Sequence, residues 1–284
     1  MFHKNLNNIL KKKFFFLILV IILLLLLLLF KNYIWDYFYG TLVYKITGRI
    51  NDKNWTTMNY GYYTKNMNKT IDSNIEKYSL NFYNIFGNPY IKNNMNVLEI
   101  SSGRGGGLKY LSNNWKNTNF LGIDYSKSNI EFSNNNHNNK NLKYITGNAL
   151  KLKLNTKFDV ILNIEASHAY NYNKQFYKSV DELLKKNGVF IYIDFIDRKK
   201  FNKLNKLIQQ HFNIVEYNDI TSNVHKSLIE TNDYKKKLIK KHFPFNFILR
   251  KIAYELYGLK NSYIFNQFAN KNYIYFAFVL SKKQ

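Results

Sequence analysis

Cysteine is absent from the 284 residues of this chain. Without thiols, the chain cannot form disulfides, cysteine-ligated zinc sites or a thiol nucleophile. Acidic residues are scarce, 18 against 42 lysines and arginines, which gives a net charge of +24. The basic residues are scattered and no nucleic-acid-binding module is present, so we expect a solvated basic surface and no nucleic-acid partner. The histidines show no spacing typical of a metal site, and no bound metal is expected.

One segment, Phe14–Phe30, is a run of seventeen apolar residues without a polar interruption. A helix of this length spans about 25 Å, at the short end of what crosses a bilayer. Lysines flank the run, and Trp35 and neighbouring aromatic residues follow it in the manner of an interfacial belt. A cleavable signal peptide is the alternative, but its apolar region is normally shorter and ends in small residues. The sequence therefore predicts a single-pass membrane protein anchored by residues 14–30.

Strands and helices alternate in the rest of the chain, as in an α/β sheet. The first predicted strand, Asn96–Ile100, runs directly into the glycine-rich segment Ser101–Gly107 and then into a helix. Such a turn lets the backbone approach a ligand closely. The second strand ends at Asp124, twenty-one residues after Gly103. This is the spacing at which a carboxylate binds the ribose hydroxyls of an adenosine ligand.

The details of the glycine-rich turn favour S-adenosylmethionine over a dinucleotide. The dinucleotide fingerprint starting at Gly103 would need glycine where Leu108 stands. The Glu99 carboxylate would repel a pyrophosphate but suits a ligand that carries an ammonium and a sulfonium. A phosphate-binding loop is excluded because no Gly-Lys-Ser/Thr follows the turn. A turn that only packs a helix on a strand is the remaining alternative.

The later strands extend the predicted cofactor site. Asn148 follows a short third strand, and its amide can pair with an adenine edge. The closing strand, Tyr273–Leu280, is apolar on both faces, as a strand inside a sheet requires. A terminal strand inserted there is typical of methyltransferases rather than dehydrogenases. The predicted cofactor-binding residues are Glu99, Ser101, Gly103, Gly105, Asp124, Asn148, Ala149 and Asn163.

Two segments, Val97–Gly107 and Leu162–Tyr170, resemble the phthiotriolone and phenolphthiotriolone dimycocerosates methyltransferase family, which O-methylates a hydroxyl on a very hydrophobic lipid. That family is similar to this chain in having serine where Ser101 stands, whereas most class I methyltransferases have glycine. The hydrophobic anchor and Asn148 depart from the family's pattern. The resemblance implies a Rossmann-like, seven-stranded class I methyltransferase sheet with helices on both faces. Together with the anchor, the predicted fold is α/β with an N-terminal transmembrane helix.

The loop after the fourth strand carries the predicted catalytic residues. His168 is placed to act as general base toward an acceptor hydroxyl, since imidazole titrates near neutral pH. Glu165, three residues earlier, would orient the imidazole or balance its charge. A loop histidine bonded to backbone and a structural strand-end carboxylate are the alternatives. Tyr60 and Tyr170 are predicted to line the substrate pocket.

The sequence therefore predicts a membrane-anchored, S-adenosylmethionine-dependent O-methyltransferase acting on a lipid or another hydrophobic hydroxyl compound. The alternatives are a C- or N-methyltransferase, like those acting on sterols or phosphoethanolamine, and a non-catalytic scaffold. The lysines before the anchor predict a cytoplasmic N-terminus, whereas a cofactor made in the cytosol argues for the opposite orientation. The predicted segments are 1–13 (basic), 14–30 (anchor), 31–90 (aromatic linker and N-terminal cap), 91–220 (cofactor-binding core), 221–268 (helical substrate cap) and 269–284 (final strand and tail).

Overall fold

The computed structural model describes residues 52–65 and 76–283, together with Val20. Apart from Val20, which is helical, the predicted anchor Phe14–Phe30 lies outside the described residues. None of the helices within the described ranges is long and apolar enough to cross a membrane. The chain divides into two compact units, Met1–Thr47 and Gly48–Gln284, and the fold described below belongs to the second.

The described residues form one mixed sheet of seven strands, in the order β3-β2-β1-β4-β5-β7-β6. Strands β1 to β5 pair in parallel, and β7 is inserted antiparallel between β5 and β6. This topology confirms the predicted class I methyltransferase sheet, including the inserted terminal strand. The strands are β1 (Asn96–Ile100), β2 (Asn119–Asp124), β3 (Leu142–Thr146), β4 (Phe158–Ile164), β5 (Leu184–Asp197), β6 (Phe212–Asp219) and β7 (Tyr273–Lys282).

Helices follow most of the strands. A π-helical turn (Tyr83–Gly87) and a 3-10 turn (Asn88–Tyr90) lead into β1, and another 3-10 turn (Ser167–Tyr170) follows β4. The helices among the described residues are α1 (Lys77–Phe82), α2 (Gly106–Asn114), α3 (Lys127–Asn136), α4 (Lys174–Leu183), α5 (Arg198–His211), α6 (Thr221–His242), α7 (Phe247–Leu256) and α8 (Tyr263–Ala269).

Two apolar clusters, one on each face of the sheet, form the core. Alternate residues of β7 supply them: Tyr275 and Val279 belong to one cluster, and Phe276 and Phe278 to the other. Side chains of α2, α6 and α8 pack into the first cluster, and side chains of α4 and α5 into the second. Because successive side chains of a strand point to opposite faces and both faces are covered here, β7 is apolar from Tyr273 to Leu280. The prediction of helices on both faces is therefore confirmed.

One helix boundary differs from the sequence prediction. The sequence predicts a helix from about Lys174 to Lys186 with a left-handed stop at Asn187-Gly188, but α4 ends at Leu183 and Asn187-Gly188 lies within β5. Strand β5 begins early because Leu184 pairs with Phe158 of β4. Cross-strand pairing thus overrides the local helix-stop signal of Asn-Gly.

The amino-terminal part of the second unit, residues 52–65, crosses the start of α2. The Gly106 N–H donates to the Thr56 carbonyl over 3.0 Å. The buried Arg104 guanidinium donates to the carbonyls of Trp55 and Asp52, at 2.5 and 3.1 Å. This segment therefore covers the glycine-rich turn, and it positions Tyr60 over the carboxyl edge of the sheet.

Candidate functional site

The glycine-rich turn between β1 and α2 contains three residues in the left-handed region. Ser101, Gly103 and Gly105 have φ values of 63°, 55° and 80°. A side chain at Gly105 would be strained, and its Cβ would lie 2.6 Å from the Tyr144 ring. Ser101 adopts a conformation that favours glycine, which is the residue most class I methyltransferases have there. The turn thus keeps the tight backbone path that a closely approaching ligand requires.

Asp124, at the end of β2, is bonded to that turn. One carboxylate oxygen accepts from the Gly103 N–H and the other from the Ser126 N–H, both at 2.8 Å. Burial raises the pKa of Asp124, and these N–H donors oppose the rise. Each carboxylate oxygen can accept more than one hydrogen bond, so the group still has capacity for ribose hydroxyls. The next residue in the sequence, Tyr125, is 76% exposed.

Glu99 in β1 is buried beneath the turn. One of its carboxylate oxygens accepts from the Tyr83 hydroxyl at 2.7 Å, and the other has no partner among the described residues. Burial raises the pKa of Glu99 to about 8. The buried side-chain oxygens of Ser102 and Asn163 also have no partner within the described ranges. Buried polar atoms are normally paired, so each of these oxygens can accept from a ligand that donates hydrogen bonds, such as an ammonium group.

Asn163 and Tyr170 join the ends of β1 and β4. The Asn163 amide donates to the Ile100 carbonyl and to the Tyr170 hydroxyl, both at 2.9 Å. Asn148 lies on the other side of the predicted cofactor site and is exposed, while Ala149 is buried. The Asn148 side-chain oxygen accepts from the Leu150 N–H at 2.8 Å. Any pairing with adenine would therefore use mainly the Asn148 NH₂ group.

His168 is held by a carboxylate that the sequence reasoning did not select. Its Nδ1 atom lies 2.8 Å from Asp194 Oδ1, and its backbone N–H donates to Asp194 Oδ2 at 3.0 Å. Ser167 Oγ and the Phe195 N–H also donate to this fully buried carboxylate. Asp194, and not Glu165 as expected, is therefore the carboxylate that orients the imidazole. The loop histidine is bonded to a carboxylate, so the alternative of a ring bonded to backbone does not describe it.

The charges around His168 favour its protonated form. Burial alone would lower the pKa of the imidazole, but the Asp194 carboxylate outweighs burial, and the pKa is raised. Nδ1 is occupied by Asp194, and within the described ranges no hydrogen bond is formed to Nε2. An imidazole held in this way can accept a proton at Nε2 while the carboxylate stabilises the resulting charge.

The hydrogen bonds of Glu165 go to Tyr60 and Tyr275 rather than to the imidazole, so of its two expected roles the one that remains is to balance charge. Glu165 lies at a φ of 53°, and one oxygen of its carboxylate accepts from the Tyr60 N–H at 2.7 Å and from the Tyr275 hydroxyl at 2.6 Å. Burial raises the pKa of Glu165 to about 7, and these donors oppose the rise. The charge of Glu165 also acts on Lys235. Burial lowers the pKa of Lys235 to about 8, and the charge of Glu165 opposes that change. Glu165 therefore links the N-terminal segment to β7 and balances charge near His168.

A cavity opens between residues 52–65 and the helical insert. Its apolar and basic lining from the insert includes Leu238, Lys235 and Tyr257. The Lys235 ammonium donates to the Tyr257 carbonyl at 3.3 Å and lies 5.7 Å from the centre of the Tyr60 ring. Tyr60 in turn packs against Phe195, next to His168. Residues 52–65 and the helical insert therefore both line this cavity, and Tyr60 connects it to the Phe195 ring beside His168.

Residues 91–243 match the sequence family described as a methyltransferase domain. The chain belongs to this methyltransferase family. The match covers the sheet from β1 to β6, the glycine-rich turn and most of α6. The predictions of an enzyme, of a methyltransferase and of S-adenosylmethionine as its cofactor are confirmed.

Curated relatives agree with the resemblance seen in the sequence. The fatty-acid O-methyltransferase of Mycolicibacterium smegmatis is 30% identical over 158 residues, which are 54% of this methyltransferase and 58% of the relative. The phthiotriol/phenolphthiotriol dimycocerosates methyltransferase of Mycobacterium leprae is also 30% identical, over 52% of this chain and 56% of the relative. The chain thus spans somewhat more than half the length of these relatives.

Solved structures share the fold. A cyclopropane synthase of Mycobacterium tuberculosis superposes with a TM-score of 0.66 at 12% identity, covering 86% of this methyltransferase and 95% of the synthase. A phosphoethanolamine N-methyltransferase of Haemonchus contortus, solved with phosphomonomethylethanolamine and S-adenosylhomocysteine, gives 0.59 at 16% identity, covering 72% and 52% of the two chains. Identities this low establish the sheet architecture alone.

The structure of the methyltransferase brings the predicted site residues to one edge of the sheet in two groups. Those of the first group lie around the glycine-rich turn and Asp124, and those of the second around Glu165 and His168. Sequence reasoning missed Asp194, although an acidic residue within the otherwise apolar run Val189–Ile196 is a signal that could have found it. It also missed Tyr275 and Lys235, which no local pattern distinguishes from their neighbours.

Proposed function

We propose that this methyltransferase transfers a methyl group from S-adenosylmethionine to a hydroxyl group of an apolar, lipid-like acceptor. The observation that carries the proposal is the contact between His168 Nδ1 and the buried Asp194 carboxylate, 2.8 Å long, beside aromatic residues. An alcohol must lose a proton when it is methylated, and a positioned imidazole is suited to accept it. The match to the methyltransferase family supports the reaction class.

The residues around the glycine-rich turn fit the cofactor. The unpaired oxygen of Glu99 would accept from its ammonium group, and Asp124 would accept from its ribose hydroxyls. In this proposal the exposed Tyr125 ring would stack on adenine and the Asn148 amide would donate a hydrogen bond to it. When bound, S-adenosylmethionine supplies an activated methyl group on a sulfonium. The chain supplies alignment and the exclusion of water, which account for much of the acceleration in such a transfer.

On the acceptor side, His168 Nε2 takes the hydroxyl proton as the new oxygen–carbon bond forms. The resulting imidazolium is stabilised by Asp194 at Nδ1 and by the charge of Glu165 nearby. We assign Tyr60 and Tyr170 to the walls of the acceptor pocket. Residues 221–268 are assigned to its cover, because Lys235 and Tyr257 of that segment line the adjoining cavity.

A second acceptor class is favoured by one observation. Lys235 places a cationic group in the cavity, close to Tyr60, and a curated relative carries the name fatty-acid O-methyltransferase. A carboxylate acceptor would be attracted by the lysine and would need no base. A hydroxyl acceptor yields an ether and a carboxyl acceptor yields an ester, so the two products differ chemically.

That difference defines the experiment. Purified protein is incubated with methyl-labelled S-adenosylmethionine and a total lipid extract, and the labelled lipids are then treated with mild alkali. An ether retains its label, and this is the expected result. Loss of the label as methanol would identify an ester and a carboxyl acceptor. Label recovered on an amine or a carbon atom would contradict O-methylation altogether.

We further propose that Phe14–Phe30 crosses a membrane once and anchors the enzyme. The seventeen uninterrupted apolar residues support this, because such a run is costly to expose to water. Full-length protein is expected to stay in the membrane fraction after carbonate extraction. Release by high salt alone would instead show a peripheral protein held by charge.

A further inference from the structure

An exposed apolar surface lies at the connection between α6 and α7. Phe245, Phe247 and Ile248 are 98%, 71% and 70% exposed. They occupy the connection after α6 and the first turn of α7. We call residues 243–251 the α6–α7 tip. Three large apolar side chains within four residues are unusual in water, and such surfaces commonly contact a partner or a membrane.

The net positive charge of the residues around the tip indicates the kind of partner that it binds. No acidic residue occurs between Asp233 and Glu255, while seven basic residues do, so this stretch carries a charge of +7. Five of the seven are exposed lysines. A second copy of the chain would bring two such charges together, which electrostatic repulsion disfavours. The basic residues are Lys235, Lys236, Lys237, Lys240, Lys241, Arg250 and Lys251.

The end of α6 that leads into the tip also contacts the first residue of the described segment 52–65. Buried Asp52, the first residue of the described segment 52–65, contacts Lys241 Nζ at 2.8 Å and His242 Nε2 at 3.0 Å, at the end of α6. The hydrogen bond from Lys241 is the largest cause that lowers the pKa of Asp52 to about 2. Leu238, one turn before Lys241, lines the cavity on the acceptor side. The α6–α7 tip, Asp52 and part of the cavity lining are therefore all found at the carboxyl-terminal end of α6.

We propose that the α6–α7 tip docks on an anionic lipid surface. Phe245, Phe247 and Ile248 insert at the level of the acyl chains, and the surrounding lysines contact the headgroups. Exposed aromatic and aliphatic side chains with exposed lysines before and after them in the sequence match both layers of such a surface, the apolar interior and the negative headgroups. This contact is additional to the anchor at residues 14–30, and it would place the cavity next to a source of apolar acceptors.

The absence of cysteine allows a direct test on the full-length chain. A single cysteine at Phe247 (Phe247→Cys) is labelled with an environment-sensitive fluorophore, and Val215→Cys, at a 56% exposed apolar position on β6, is the matched control. Each protein is reconstituted into phosphatidylcholine vesicles with and without phosphatidylserine, with bromine atoms on the acyl chains as quenchers. We expect severalfold stronger quenching at position 247 than at 215, and stronger quenching with phosphatidylserine.

Equal quenching at the two positions would overturn the proposal. An emission shift at position 247 that depends on protein concentration in detergent, without bilayers, would assign the tip to a second copy and would also overturn it. In a Phe247→Cys protein carrying Lys240→Gln and Lys251→Gln, quenching should fall severalfold while the chain stays in the vesicles. Because retention in the vesicles reports the anchor and quenching at 247 reports the tip, the two proposals fail separately.

Discussion

The carboxyl edge of the sheet is assembled by short-range contacts on one side and by long-range contacts on the other. On the cofactor side, formed by β1 to β3, Asp124 accepts from Gly103 and Ser126, which lie 21 and 2 residues away in the sequence. On the acceptor side, formed by β4, β5 and β7, Glu165 accepts from Tyr60 and Tyr275, at separations of 105 and 110 residues. The cofactor side can therefore be seen in a short motif, whereas the acceptor side exists only in the folded chain.

The two sides also differ in the groups that contact their buried carboxylates. On the cofactor side, the buried Glu99 is bonded to the Tyr83 hydroxyl, a neutral donor. On the acceptor side, His168 contacts Asp194 and lies near Glu165, whose pKa is raised to about 7 chiefly by burial. An imidazole next to carboxylates can gain and lose a proton near neutral pH. The pairing of an imidazole with a buried carboxylate is found on the acceptor side, and it supports the proposal that proton transfer takes place there.

Replacing His168 should have the largest effect of the changes considered, and it should affect turnover without affecting cofactor binding. His168→Ala removes the group that takes the acceptor proton, so turnover should fall about 10²–10⁴-fold. The cofactor side is untouched, and calorimetry should give nearly unchanged affinity for S-adenosylmethionine. Near-normal turnover in a folded His168→Ala protein would mean that alignment and desolvation suffice, and that the acceptor arrives already nucleophilic.

The converse change is made at Asp124. Asp124→Asn keeps the shape of the side chain but removes its charge, and charge-assisted hydrogen bonds to ribose contribute about 1.5–3 kcal/mol each. The Kd for S-adenosylmethionine should rise at least about tenfold, measured by calorimetry. Turnover at saturating cofactor should change little, because the acceptor side is intact. A folded variant that binds the cofactor as tightly as the parent protein would refute the assignment of Asp124.

A smaller effect is expected at Glu165. Glu165→Gln keeps an oxygen that can accept from Tyr60 and Tyr275, so the fold should hold, but it removes a charge that favours the imidazolium of His168. Turnover should fall by less than about tenfold, which corresponds to less than about 1.4 kcal/mol in the barrier. Tyr275→Phe is the matched control, since it removes one hydrogen bond and leaves the charge. A loss as large as that of His168→Ala would instead make Glu165 the base.

The sheet and the cofactor side can be predicted from the sequence because the patterns that indicate them are local. The turn from Ser101 to Gly107, its distance to Asp124 and the apolar strand β7 each follow from a period or a spacing. The end of α4 was misplaced because the pairing of Leu184 with Phe158 involves another strand. The partner of His168 was missed for the same reason, since Asp194 lies 26 residues later, on another strand. Contacts of that kind arise from the packing of β4 against β5.

The pH dependence of turnover tests the central claim, that His168 acts as a base held by Asp194, most directly. The base must be neutral, so the rate should fall as the pH drops through the pKa of His168, which Asp194 raises against the opposing effect of burial. In Asp194→Asn the pKa of the imidazole loses that support, and the acidic limb of the profile should move to lower pH while the plateau rate falls. An acidic limb that stays in place in a folded Asp194→Asn protein, or that is absent from the parent enzyme, would contradict the claim.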